Sequence, residues 1–302
     1  MKIIANRLRV LLCSLLLVTA CKKEEKLTPS EGKENVYSDH TLPQGNHAYD
    51  ATIVNLFQKY NTMFLYKYIP NDLYFNINTY FGGSYDAKKD STTRGGYFDV
   101  PANEAYVGMQ LDLIKELLLK YYSDDLLRQG LTQKVYLVDS FYFAYSGPGK
   151  PVDNWPFLYD VYEGGDYMLV AWGGTRLNTM TKEEKYSLKG QLNALFLSIT
   201  HKRGVIKPTA AFATLTNYSS VTWNNYYPLG ALDYYLINAD KDWDLYVQAI
   251  VSNSYASLIA PGGILHAGVD TKGIIRKKYD LVIAYFKTVL GVDLQAIGDA
   301  GI

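Results

Sequence analysis

The chain has 302 residues, of which 48% are hydrophobic and 20% charged. With 28 Tyr, 11 Phe and 4 Trp it can bury a large core, which excludes wholesale disorder and collagen-like or low-complexity classes. Its 30 basic and 30 acidic side chains cancel without leaving a basic stripe, which argues against nucleic acid as a partner.

Residues 10–18 (VLLCSLLLV) follow Lys2, Arg7 and Arg9. The run is too short to span a hydrocarbon core of about 30 Å and has the form of a signal-peptide h-region. It ends on Val18-Thr19-Ala20-Cys21, which resembles a bacterial lipobox, so residues 1–20 are expected to be a lipoprotein signal peptide and Cys21 the acylated first residue of the mature chain. An ordinary secretory signal with a chance cysteine is the alternative. Cleavage there removes Cys13 and leaves one cysteine, already modified, so no disulfide is expected. Several acyl chains contribute about 0.8 kcal/mol per buried CH₂, which makes the anchor effectively permanent. Residues 21–48 open with Lys22-Lys23-Glu24-Glu25-Lys26 and continue polar, as a flexible tether does. The charged cluster also resembles a sorting signal for the outer leaflet in some Gram-negative lipoproteins; a plain solvated linker is the other reading.

No linker divides residues 49–302, and no repeat is present, so one globular domain is expected. Residues 51–68 carry Ile53, Leu56, Phe57, Tyr60 and Phe64 at helical spacing. Residues 71–81 alternate as a strand does. Pro101 opens a helix with the apolar face Val107, Leu111, Ile114 and Leu118, ending near Tyr122. Residues 134–143 and 167–172 have strand composition. Residues 178–181 start a helix with Glu183 and Glu184 in its first turn, running to about Lys202. Two more helices are expected over 243–258 and 274–290. The sum is an α+β fold, richer in helix than in strand, around a small sheet.

Several pieces, in this order, resemble one family. They are the helix 187–201 (SLKGQLNALFLSITH), the segment 210–223 ending in NYSSVTW, residues 229–247 (LGALDYYLINADKDWDLYV) and the closing helix 277–294. Together with the lipobox they are similar to the substrate import-associated zinc metallohydrolase lipoproteins, also described as zinc-binding metallopeptidases. The resemblance implies a zincin-like fold, a helix bearing HExxHxxH, and association with a SusC/SusD-type TonB-dependent importer in the outer membrane. HExxH works because histidines at i and i+4 leave one helix face toward one Zn²⁺, with the Glu between them as general base. Setting His201 as the family's third histidine puts Ala194 at the first ligand position, Leu195 at the base and Ser198 at the second ligand. The chain's other histidines are His40, His47 and His266, and no pair has i, i+4 spacing. This is a degenerate member by that alignment: neither metal nor other cofactor, and no catalytic residue, is expected. Leu188, Leu192, Leu195, Phe196 and Ile199 instead make a continuous apolar stripe, so the former site is expected to be core.

In Asp240-Lys241-Asp242-Trp243-Asp244 the resemblance leaves only Asp242 as a survivor of the family's acidic segment. As a calcium loop the run fails, since Leu245 and Val251 stand where Gly and Glu are needed. Those aspartates are expected to form a solvated helix start. No GxSxG elbow, P-loop or GxGxxG is present, and adjacent carboxylates such as Asp124-Asp125 point apart on a helix.

Tyrosine enrichment points to recognition, because the ring offers a flat apolar face and a hydroxyl. Trp155, Tyr159, Tyr162, Trp172, Trp223, Tyr226 and Tyr227 are the candidate ligand-binding residues. The resulting expectation is a non-catalytic, surface-exposed outer-membrane lipoprotein, accessory to a SusC/SusD-type importer and binding an oligopeptide or a glycan. An active zinc metallopeptidase with a divergent ligand set, or a purely structural transporter subunit, are the alternatives.

Overall fold

The computed structural model describes residues 40–74, 96–144 and 157–301. The expected signal, Cys21, most of the tether and Trp155 lie outside them. Residues 40–46, expected as the end of the tether, pack on the body instead. His40 Nε2 lies 3.2 Å from the Tyr136 hydroxyl, and the Gln44 carboxamide accepts the N–H groups of Tyr66 and Lys67 at 2.9 and 3.1 Å. That gives this stretch a backbone partner, which a tether lacks.

Helix α1 (Ala48–Tyr60) starts where the Asp50 carboxylate accepts the His47 N–H at 2.8 Å, and it ends at Asn61, which adopts a left-handed conformation with φ of 55°. That C-cap overrides the apolar spacing that continues to Phe64, so the predicted helix over 51–68 is cut short. Phe64 belongs to strand β1 (Met63–Leu65). Where a strand was expected, Pro70–Tyr74 form a short helix, α2, and residues 75–81 lie outside the described residues. Pro101 closes strand β2 (Gly96–Pro101), and helix α3 (Val107–Leu117) begins six residues later than its proline suggested. The 3₁₀ turn Leu119–Tyr121 and helix α4 (Asp124–Gly130), capped by Ser123, follow.

Strand β3 (Lys134–Ala144) is the axis of the sheet. Its first half runs parallel to β1 and to β6 (Tyr167–Val170), with Val135 opposite Phe64 and Met168. Its second half runs antiparallel to β2 and to β4 (Phe157–Tyr159). Strand β5 (Val161–Glu163) extends β4 along the free side of β6. Val135, Tyr136, Leu137 and Val138 are all buried, as a doubly covered strand requires. Gln110 of α3, fully buried, donates from Nε2 to the carbonyls of Val138, Val170 and Ala171 and so fastens this helix where β3 and β6 diverge.

Helix α5 (Lys182–Lys202) begins as expected, with a capping box between Thr181 and Glu184. It packs on α7 (Ala239–Ser252), which contacts α10 (Leu294–Asp299). Between α5 and α7 lie α6 (Ala210–Thr214) and the turns Tyr218–Ser220 and Tyr227–Leu229. The helix expected over 243–258 is two: α7 stops at Ser252, and Ser254 caps a fresh turn, α8 (Tyr255–Ile259). Helix α9 (Ile274–Tyr285) runs into one π-helical segment, Phe286–Leu290, closed by Gly291 with φ of 67°. The described residues form the expected α+β body.

Candidate functional site

The positions of the zinc motif lie along one side of α5. Ala194 and Leu195 are half-buried and pack against the core, while Leu188, Leu192, Phe196 and Ile199 are buried outright. The stripe is therefore core as expected, except that Leu195 keeps partial exposure. Asn193, which the apolar pattern passed over, is fully buried too. Its amide donates to the Leu117 and Lys189 carbonyls and accepts the Tyr122 hydroxyl at 2.7 Å, which completes the C-terminal end of α3.

One turn further on, Ser198 and His201 face the start of α7, which Asn238 caps by accepting the Lys241 N–H. Asp244 receives both: Ser198 Oγ donates to Oδ2 at 3.2 Å, and His201 Nδ1 lies 2.8 Å from Oδ1. On the other side of the ring, His201 Nε2 is 3.3 Å from Asp240. Asp240 and Asp244 are one helical turn apart and clasp the imidazole by its two nitrogens.

That geometry does not fit a zinc ion. Tetrahedral Zn²⁺ needs three or more donors converging at about 2.0–2.2 Å on one point, whereas here the carboxylates occupy opposite edges of the single imidazole. Among the described residues no group of three or more His, Cys, Asp and Glu side chains is placed to hold a metal.

The hydrogen bond to Asp244 raises the His201 pKa above its usual value, with Asp240 adding to the effect and burial opposing it. A raised folded-state pKa contributes stability that is complete below the unfolded value of about 6.5 and is lost as pH climbs through the folded one. The urea midpoint of the wild type is therefore expected to fall relative to His201→Gln as pH rises from 6 to 8. Parallel profiles would show that the ring is not charged between its two aspartates.

Asp242 departs from the expected solvated helix start. It is fully buried, 2.6 Å from the equally buried Lys278 ammonium of α9. Tyr218 OH donates to the same carboxylate oxygen at 3.0 Å, and the Leu232 N–H donates to the other at 2.9 Å. The Lys278 ammonium donates to Tyr218 at 2.9 Å and lies 4.5 Å from the centre of the Phe212 ring. Burial raises the Asp242 pKa and lowers that of Lys278, and each shift is opposed by the partner's charge. No sequence spacing marks this pair, since its members belong to different helices. Asp240, by contrast, is exposed as expected.

Beside His201 the surface opens into a cavity of about 770 Å³ lined by Lys202, Lys207, Asn238, Asp240, Lys241 and Asp244 among others. Two of the candidate aromatics, Tyr226 and Tyr227, pair at 4.2 Å between ring centres, and Tyr226 meets Tyr234 at 5.8 Å. Trp223 in the same loop is 73% exposed. Tyr159 and Tyr162 belong instead to the sheet, half-buried against each other and Phe141. Trp172 leaves the candidate set. It is buried in the core, its indole N–H donates to Asp160 at 2.8 Å, and the Arg176 guanidinium lies 4.2 Å from the centre of its ring, so no face is free for a ligand. Tyr235 and Leu236, which the sequence reading did not single out, are 66% and 76% exposed.

No family model matches the chain, and no curated protein does. Among solved structures it is similar to the crystal structure of a "putative zinc-binding metallo-peptidase" from Bacteroides caccae, with 15% identity over 81% of this chain and 86% of that one, at a TM-score of 0.46. Likeness of that degree fixes neither family nor activity.

Proposed function

We propose that the protein is a non-catalytic lipoprotein of the outer-membrane surface that holds an oligomeric nutrient, oligopeptide or glycan, for a SusC/SusD-type TonB-dependent importer. The observation that carries this is the way His201 is spent. In the alignment with the zinc hydrolases it is the one surviving ligand, and here both ring nitrogens face aspartates while Ala194, Leu195 and Ser198 replace the rest. An open cavity remains beside it, which favours a binding protein over a purely structural subunit. Attachment rests on Cys21 of the lipobox-like Val18-Thr19-Ala20-Cys21.

The test is co-purification of the anchored protein from outer membranes in mild detergent, with metal analysis of the same sample. A TonB-dependent transporter is expected in the eluate, zinc well below one equivalent, and ligand binding that EDTA leaves intact. One tightly bound zinc per chain, with peptide turnover that EDTA abolishes, would replace this reading by the divergent metallopeptidase.

A further inference from the structure

We propose that the cavity beside His201 takes a saccharide, with the exposed face of Tyr235 as its stacking platform; this rests on the capture function above and names its ligand class. Lys241 joins the two features. It lines the cavity, and its ammonium lies 5.7 Å from the centre of the Tyr235 ring.

The aromatic rim is held before any ligand arrives. Lys241 Nζ donates to the Asp233 carboxylate at 2.8 Å and to the Tyr235 carbonyl, and the same carboxylate accepts the N–H groups of Tyr234 and Tyr235. Asp242, locked by Lys278, takes the Leu232 N–H just upstream. Leu236 follows in a left-handed conformation, φ 47°, which a leucine adopts at a cost and which these contacts maintain. A backbone fixed in this way needs little ordering on binding.

The cavity wall selects among ligand chemistries. One common grip on an extended peptide is main-chain bonding to a strand edge. Among the described residues no strand residue lines this cavity: its walls are the end of α5, residues 204–208, α6 and the start of α7. A polyanion is disfavoured as well, because Lys202 and Lys241 carry their own carboxylates, Glu163 and Asp233. What remains is an exposed aromatic plane beside donors and acceptors of both signs, Lys207, Asn238 and Asp240. A pyranose presents the matching surface, a flat C–H face rimmed by hydroxyls.

The test is calorimetric titration of the mature protein, in EDTA, with maltohexaose, cellohexaose, laminarihexaose and mannohexaose, and with a pool of octapeptides in a parallel arm. Saturable binding of at least one hexasaccharide is expected. Tyr235→Ala should weaken it by about tenfold or more, the scale of one lost stacking contact, without moving the thermal midpoint, and Asp240→Ala, which also removes a partner of His201, should weaken it at a pH where the variant stays folded. Tyr235→Phe, which keeps the ring, should stay close to wild type. Peptide binding with no saccharide binding overturns the ligand class and leaves the capture function standing; binding in neither arm overturns both. Saccharide binding that Tyr235→Ala and Asp240→Ala leave unchanged puts the sugar elsewhere and overturns the inference.

Discussion

Lys278→Met is expected to lower the thermal midpoint by on the order of 10 °C. The substitution keeps the length of the side chain and removes its charge, leaving the Asp242 carboxylate fully buried with only Tyr218 OH and the Leu232 N–H as donors. Breaking a buried pair from one side typically costs about 3–5 kcal/mol, and a body of this size shifts by roughly 2–4 °C per kcal/mol. Adding Asp242→Asn should recover more than half of the loss, since the amide keeps an acceptor for Leu232 and no net charge remains buried. Calorimetry of the wild type, the single and the double variant decides it. A single variant within about 1 kcal/mol of wild type would mean that Asp242 is already neutral or hydrated in the folded state.

Trp243→Ala should be comparably severe, at about 3–5 kcal/mol. Trp243 is fully buried among Phe212, Tyr285 and Phe286, with ring centres 5.0 to 6.1 Å away. Alanine leaves a cavity that three large rings cannot close without abandoning their own contacts. Trp243→Phe should cost much less than half as much, because the Trp243 Nε1 hydrogen has no hydrogen-bond partner among the described residues and its loss forfeits no bond. Urea unfolding at constant m-value separates the two. Equal losses would show that the indole N–H is satisfied after all.

Much of the skeleton was legible in the residues. The start of α5 follows from Thr181 and Glu184, and β3 follows from a run of β-branched and aromatic residues, because capping and strand composition act locally. Errors arose where a cap or a distant partner decided. Asn61 ended α1 against an apolar spacing that continued, and β2 claimed Pro101. The site divides in the same way. That Ala194 and Leu195 offer a metal no donor atom is a matter of residue type alone, whereas the clasp of His201 by Asp240 and Asp244 depends on how α5 meets α7. Asp242 was misread as solvated for the same reason, since its partner is brought to it only by the packing of α9. Trp172 showed the converse, an aromatic with the right composition for a surface and a place in the core.

Among the described residues, four of the sheet's five strand pairings need one strand. Strand β3 is bordered by β1 and β2 on one side and by β6 and β4 on the other, and each of those ladders joins residues far apart along the chain. Until that central segment is seated, β1, β2 and β4 have no strand partner and β6 has only β5, so the closure of several loops must coincide. Such a molecule assembles late and cooperatively. Up to that moment it exposes adhesive backbone edges, open to pairing with another copy of the chain unless a chaperone covers them.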